Sequence, residues 1–391
     1  MGDRGTSAPR RHRTGGTGAG PGGRRLTWAV AASALVAVAA LMAGSLTGAD
    51  APAGSPRPPS GVALPSDASG DPVRGAPEEA ADPADGGAPP AGASAGPPGP
   101  DFGAYLDYGS RGVARMAGLS RWLGGAEPRV GRTYLPGDRW SNIEGAPGFL
   151  DLWADWRTGR ADRTLVLNVP MLERNEEGVG DREVRRLLRR GAAGEFDHHF
   201  RALARRLVAL EVPDTVLVLG WEMNGITYTH RCGPDPGAWK AYWRRIVTAM
   251  RAVPGQRFRF DFTPSRGLDA VPWTACYPGD AVVDVIGMDA YDQPRGMPFA
   301  EQVREPYGLR AHVDFAKAHG KPVSYPEWGL FRNGDNAEYM RGMLAWMDEH
   351  RPLYQTLTDY CPHGVWQCGD NPRASAVYRA ALRGRADVPR T

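Results

Sequence analysis

Lysine is almost missing from this chain: only three of its 47 basic residues are lysine, and the rest are arginine. Arginine abundance of that kind reflects the composition of the whole chain and does not mark a phosphate-binding patch. No Gly-rich phosphate loop of the G-x-G-x-x-G or Walker type follows a strand-like run, which weighs against a nucleotide-binding sheet. Cysteine is scarce as well. Cys232, Cys276, Cys361 and Cys368 are the only four, and they form no short Cys-pair motif. His230 near Cys232 and His363 near Cys361 do not restore zinc-ligand spacing. The sequence therefore predicts neither a metal nor a cofactor. Residues 51–100 lack any aromatic residue and hold 13 prolines. Such a stretch cannot bury enough apolar surface to offset the entropy of ordering it.

Charge is missing from one further segment. Residues 26–48 (LTWAVAASALVAVAALMAGSLTG) form an uncharged apolar run long enough to span a bilayer. The first 25 residues carry six arginines and one aspartate, a basic flank that orients the run with its N-terminus in the cytoplasm. Two fates stay open. The small-residue stretch Thr47-Gly48-Ala49 suits signal-peptidase cleavage, whereas the length of the run suits an uncleaved signal anchor. No cysteine ends the run, so a lipoprotein anchor is not expected. The resulting division is a basic tail (1–25), a signal anchor or signal peptide (26–48), a disordered Pro/Ala/Gly-rich linker (49–100) and one folded domain (101–391). The basic tail holds +5 of the net charge of +3, leaving 3 − 5 = −2 for the remainder. A near-neutral exported domain has no electrostatic footprint for nucleic acid. It is expected to act as a monomer outside the cell or at its surface. An even cysteine count in an oxidising compartment favours two disulfides. Three connectivities are possible; Cys361–Cys368 would close a short local loop, and that pairing would leave Cys232–Cys276.

Roughly 290 residues suit one (β/α)₈ barrel, which typically needs about 250. Strand-like runs recur at 103–107, 130–135, 163–170, 215–220, 258–263, 283–289, 321–326 and 354–359, with 364–367 as a substitute for the last. Several are continuous apolar runs, as expected of strands buried on both faces of a parallel sheet. Helical periodicity lies between them: Phe196, Phe200, Leu203, Leu207 and Leu210 share one face, as do Trp239, Tyr242, Ile246 and Met250. The fold class predicted is α/β, a TIM barrel.

Two glutamates stand at the ends of such strands, where a barrel builds its active site. Glu222 follows the apolar run 215–219 in GWEMNG, and Glu327 follows 321–324 in YPEWG. Their separation of 105 residues equals three strand–helix units, which places them on strands four and seven. Glycoside hydrolysis needs this pairing: one carboxylic acid protonates the leaving oxygen, and one carboxylate meets the oxocarbenium-like centre from the opposite face. In a retaining enzyme the two lie about 5–5.5 Å apart.

LGWEMNG (219–225), DVIGMDAYD (284–292) and KPVSYPEWG (321–329), in that order and spacing, resemble glycoside hydrolase family 26 and its bacterial relatives, within the clan of retaining (β/α)₈ enzymes. FGAYLDYG (102–109) and NPRASAVYRAAL (371–382) extend the resemblance over about residues 101–383. The resemblance implies Glu222 as general acid/base, Glu327 as nucleophile, Tyr291 as a hydrogen-bond donor to the nucleophile, and Asn224 lining the site. Mannanases of that family usually carry a His directly before the acid/base, where this chain has Trp221, which puts mannan specificity in doubt. Trp140, Trp221, Tyr228, Trp273, Trp328 and Trp366 are candidate sugar platforms, with Trp366 nearest the eighth strand. Asp289 is expected to pair with a neighbouring arginine, His198 and His199 to face solvent, and Arg185–Arg190 to form a solvated helix face. The substrate expected is a β-linked polysaccharide: mannan-like, a β-glucan, or a polymer made by the cell itself. A non-catalytic carbohydrate-binding barrel and a transglycosylase using the same residues are the alternatives.

Overall fold

The computed structural model describes residues 99–145 and 148–383. The basic tail, the apolar run 26–48 and nearly all of the linker lie outside them. Among the described residues no helix is long and apolar enough to cross a membrane.

Strands and helices alternate along the domain. β1 (Asp101–Tyr105), α1 (Ser110–Trp122) and β2 (Val130–Tyr134) lead, followed by α2 (Trp140–Ile143), α3 (Phe149–Thr158) and β3 (Thr164–Val169). Next come α4 (Asp181–Ala192), α5 (Asp197–Ala209), β4 (Val216–Leu219), α6 (Pro236–Arg251) and β5 (Arg259–Phe262). The chain continues with β6 (Val285–Gly287), β7 (Ala290–Tyr291), α7 (Phe299–Arg304), α8 (Leu309–Ala318) and β8 (Val323–Gly329), then α9 (Ala337–His350), β9 (Tyr354–Thr358) and α10 (Pro372–Leu382). Every strand pairing is parallel, and the order β6-β5-β4-β3-β2-β1-β9-β8 closes on itself through β6–β8. β7 is the far half of the sixth barrel strand and pairs with the end of β8. This is a closed eight-stranded (β/α)₈ barrel, as predicted. β4 and β8 are buried at every residue, and β4 reads as an unbroken apolar run for that reason.

The predicted helix faces are present. Phe200, Leu203 and Leu207 are fully buried on α5, and Trp239, Tyr242, Ile246 and Met250 on α6. Asp235 caps α6 by accepting from Ala238 N at 3.0 Å, and Pro236 opens it.

Four local expectations shift. After β5 there is no α-helix: residues 263–284 hold Pro264, Pro272 and Pro278, which deny a helix its hydrogen bonds, and only a 3-10 turn forms at Trp273–Cys276. The sixth strand breaks at Met288–Asp289, where Asp289 N leaves the β8 ladder and donates to Pro264 O at 2.9 Å. The seventh strand runs past its predicted end and contains Glu327. Residues 364–367 form no strand.

Both expected disulfides, Cys232–Cys276 and Cys361–Cys368, are formed. A cavity of about 590 Å³ lies at the N-terminal ends of the strands, beside Asp101, Thr164, Arg259 and Tyr354. Ion pairs line it, Arg157–Asp214 at 2.7 Å and Arg129–Asp162 at 3.3 Å among them. The titratable cluster described below occupies the opposite end.

Candidate active site

Glu327 owes its direction to an irregularity in β8. Tyr325 pairs with Gln355 and Trp328 with Leu357, so three steps on β8 match two on β9. A bulge of this kind re-aims a side chain. Without it Glu327 would share the outward face of Tyr325, whose hydroxyl accepts from Trp346 Nε1 of α9. With it Glu327 turns to the barrel axis. Pro326 sits at the bulge, where its missing N–H leaves no ladder bond unmade. Its carbonyl accepts from Arg132 Nη1 at 2.6 Å and from Thr356 Oγ1.

Three strands supply donors to the Glu327 carboxylate. Asn168, near the end of β3, donates to Oε1 at 3.1 Å. Arg132 of β2 places Nη1 at 3.3 Å from the same oxygen. Tyr291 of β7 donates to Oε2 at 2.8 Å. Donors on both oxygens suit a carboxylate held as an acceptor only. Arg132 is itself 0% exposed, so its charge must be met inside the protein. Tyr134 OH at 2.7 Å, Thr358 Oγ1 at 3.3 Å and the faces of the Tyr105 and Tyr134 rings complete its surroundings.

Glu222 is held differently. Gly220 turns the chain out of β4 with φ +61°, and a Cβ there would lie 2.4 Å from Met171 Sδ. Glu222 also takes a positive φ, +50°, which costs a non-glycine residue roughly 1–2 kcal/mol. Its N–H donates to Thr263 O at 2.8 Å, pinning this conformation to the end of β5. The carboxyl is buried and beside Glu327. Burial first, and then the negative charge of Glu327, push its pKa up to about 8 against the pull of a Ser265 hydrogen bond. Around neutral pH Glu222 therefore carries a proton, in a position where Glu327 is surrounded by donors.

A third carboxyl lies in the same cluster. Asp289 is buried, and neither of its oxygens has a hydrogen-bond partner among the described residues. It does not pair with an arginine as expected. Burial, with Glu327 and Glu222 adding to it, raises its pKa well above the usual carboxylate range.

The remaining candidates separate by burial. Tyr291 lies where expected, and its hydroxyl also meets Thr358 Oγ1 at 2.8 Å. Trp221 packs edge-on to Tyr134, Tyr228 and His230 beside Glu222. Its carbonyl accepts from His230 Nε2 at 2.9 Å, and burial lowers the His230 pKa to about 3, so that ring is neutral.

Trp328 is not a sugar platform. It is 0% exposed, points outward past Tyr378 of α10, and donates to Gln355 Oε1 at 2.7 Å. Neighbours on a strand face opposite ways, so Glu327 and Trp328 cannot both face the axis. Trp273 is likewise fully buried, against Phe315 and Tyr307. Trp366 packs over Gly118 of α1, outside the barrel. One face of Trp140 is stacked on His199 at 4.2 Å, and His199 Nδ1 meets Glu144 at 2.6 Å, so this histidine does not face solvent. His198 does. Asn224 does not line the site either: its amide holds both the N–H and the C=O of Ser265, at 2.9 and 3.1 Å. The Ser265 side chain in turn hydrogen-bonds the Glu222 carboxyl.

Sequence reasoning overlooked Arg132 and Asn168. The signal was a charged side chain in one buried strand run, VGRTY, and an amide in another, TLVLNV.

Residues 218–327 match the family model described as Glycosyl hydrolase family 26. No curated protein matches the chain in sequence. Among solved structures, a modular endo-β-1,4-mannanase from Cellulomonas fimi is 21% identical, with 72% of this chain and 70% of that one covered and a TM-score of 0.56. A GH26 β-mannanase from Bacteroides ovatus is 17% identical over 73% and 89%, with a TM-score of 0.54. The YdhT protein from Bacillus subtilis is 18% identical over 72% and 84%, with a TM-score of 0.53. Identities this low carry the fold alone, and the family model matches the stretch that spans Glu222 to Glu327: over residues 218–327 the chain is similar to glycoside hydrolase family 26.

Proposed function

We propose that this protein is a retaining glycoside hydrolase that cleaves a β-linked polysaccharide by double displacement, with Glu222 as acid/base and Glu327 as nucleophile. One observation carries the reading. Two buried carboxyls interact at one end of the barrel: burial and the charge of the second raise the pKa of the first to about 8, and the second is given donors on both oxygens. Opposed environments of this kind divide the work of acid and nucleophile between two like residues.

In the first step Glu222 gives its proton to the glycosidic oxygen as that bond breaks, and Glu327 bonds to the anomeric carbon. In the second, Glu222, now a carboxylate, takes a proton from water, which attacks the same carbon and frees Glu327. Configuration is inverted twice and so retained. Arg132, Asn168 and Tyr291 hold the nucleophile in position.

The substrate class is a β-1,4-mannan-like or β-glucan polymer. The mannanase names among the similar structures favour the first, and Trp221 in place of a histidine before the acid favours a departure from it. Two disulfides and the apolar run 26–48 support action outside the cell, tethered or released. The test is a panel of mannan, β-glucan and bacterial exopolysaccharides with product analysis, run beside Glu222→Gln. Wild type is expected to release oligosaccharides from at least one polymer, and the variant from none. Equal product release by both contradicts the assignment.

A further inference from the structure

The cavity at the N-terminal ends of the strands has no part in the chemistry above, yet its charges are not all matched. Four arginines and three aspartates line it. The carboxylates are engaged. Asp214 is held by Arg157 at 2.7 Å, and Asp162 is shared between Arg129 at 3.3 Å and Arg160 at 2.8 Å. Asp101 has interactions of its own. Two guanidinium groups remain without a carboxylate. Arg163 donates to a carbonyl, Trp156 O at 2.6 Å, and stacks on the Trp156 ring. Burial, and then the charge of Arg160, lower its pKa. Arg259 is half-buried, and among the described residues its guanidinium has no hydrogen-bond or ion-pair partner.

Strand alternation sets Arg259 on the barrel axis. Phe260 and Phe262 of β5 face outward, against Trp243 and Trp239 of α6. Asp261 between them faces inward and accepts from Ser324 Oγ at 2.6 Å and from Tyr354 OH at 2.7 Å. Arg259 lies two residues before Asp261 and so shares its face, one layer nearer the N-terminal end. Asp261 is satisfied by hydroxyls and does not meet it. Thr164 stands on the axis by the same rule, four residues before Asn168, whose amide reaches Glu327. Its hydroxyl also lacks a partner among the described residues. One guanidinium and one hydroxyl thus share the inner face of the strands that open on this cavity, with no acceptor between them.

We propose that this cavity is an oxyanion site for inorganic phosphate or a small phosphomonoester, held by the Arg259 guanidinium and the Thr164 hydroxyl, with Arg163 as a second cation on its wall. A guanidinium presents a planar fork of donors that meets two phosphate oxygens at once, and a hydroxyl adds an O–H donor. The lining carries one more cation than carboxylate. Its aspartates are neutralised in ion pairs and repel an incoming anion little. A neutral or cationic ligand would leave both arginines uncompensated in a half-buried place, which is costly for a charge. The site is independent of the hydrolytic reading, since it lies at the opposite end of the barrel from Glu222 and Glu327.

Titration calorimetry and thermal unfolding of the full chain test this, with inorganic phosphate and glycerol 3-phosphate as probes and sodium chloride of matched ionic strength as the reference. Wild type is expected to bind at least one probe and to unfold at a higher temperature in its presence. Arg259→Gln is expected to weaken binding by about tenfold or more, through the loss of charge-assisted hydrogen bonds. Arg259→Lys keeps the charge without the fork and is expected to lose an intermediate factor. Arg259 leaves no partner behind, so its removal is expected to keep the ligand-free thermal midpoint and polysaccharide hydrolysis unchanged. Arg341→Gln, at an exposed arginine of α9, is the control and is expected to bind as wild type does. Tighter binding of the ester would make its organic arm part of the ligand, and equal binding would assign the site to the anion alone. No binding of either probe by wild type, a thermal shift that chloride reproduces, or undiminished binding by Arg259→Gln overturns the inference and leaves the roles of Glu222 and Glu327 untouched.

Discussion

The Tyr291 hydroxyl lies 2.8 Å from Glu327 Oε2 and 2.8 Å from Thr358 Oγ1. One phenol therefore joins the seventh strand to the eighth while donating to the proposed nucleophile. A hydrogen bond to a charged group is worth about 1.5–3 kcal/mol. Tyr291→Phe is expected to lower kcat by roughly 10- to 100-fold with an unchanged circular dichroism spectrum. An unaltered kcat would remove Tyr291 from the positioning of Glu327.

The acid sets the pH range. Glu222, raised to about 8 by burial and by Glu327, is active only while it holds its proton. The alkaline limb of kcat/KM is expected near pH 8, activity falling as pH rises through it. Asp269 adds to the upward shift of Glu222, so Asp269→Asn moves that limb to lower pH. A limb near the ordinary carboxylate range in wild type would mean that Glu222 is not the group observed.

Asp289 carries a stability signature with a definite sign. Its folded pKa is raised well above the unfolded value, chiefly by burial. Its contribution to stability is complete below the unfolded pKa of about 3.9. Above that pH the folded state keeps a proton that the unfolded state has lost, and stability declines by up to about 1.4 kcal/mol per pH unit until the folded pKa is reached. Asp289→Asn removes that decline. The difference in unfolding free energy, variant minus wild type, is expected to grow more favourable from pH 4 to pH 8. Urea denaturation at several pH values measures it, and a flat difference would show that Asp289 is ionised in the native state.

Cys232–Cys276 joins the loop after β4 to the 3-10 turn after β5, the crossover that lacks an α-helix. A bridge closing a loop of this length contributes about 2–4 kcal/mol. Cys232→Ala/Cys276→Ala is expected to lower the thermal midpoint by several degrees and to raise KM for polymer more than it lowers kcat. Loss of Cys361–Cys368, which closes a seven-residue span, is expected to matter less. The reverse ranking by calorimetry would contradict this.

How much of this was readable in the sequence depended on which rule governed each residue. Glu222 and the strand count were legible because β4 is a short apolar run followed by a turn, and eight such runs repeat. Glu327 was legible as a residue but not in its placement: the bulge at Pro326 depends on register against β9, which no local pattern encodes. That register is also why Trp328, next to a site residue, faces the helices. Arg132 and Asn168 were hidden because a strand buried on both faces has no polar side to mark the axis. Asn224 sits in a family-like motif, yet its amide is fully committed to the backbone of Ser265, and only the fold brings residues 224 and 265 together.

The pairing of Glu222 and Glu327 is tested most directly by trapping the intermediate. Incubation with 2-deoxy-2-fluoro-β-mannosyl and -glucosyl fluorides, followed by peptide mass spectrometry, reads which residue bonds to the anomeric carbon. A single glycosyl ester on Glu327, formed by wild type and absent from Glu327→Gln, is the expected result. An ester on Glu222 or Asp289, or turnover with inverted product and no ester at all, would contradict the account.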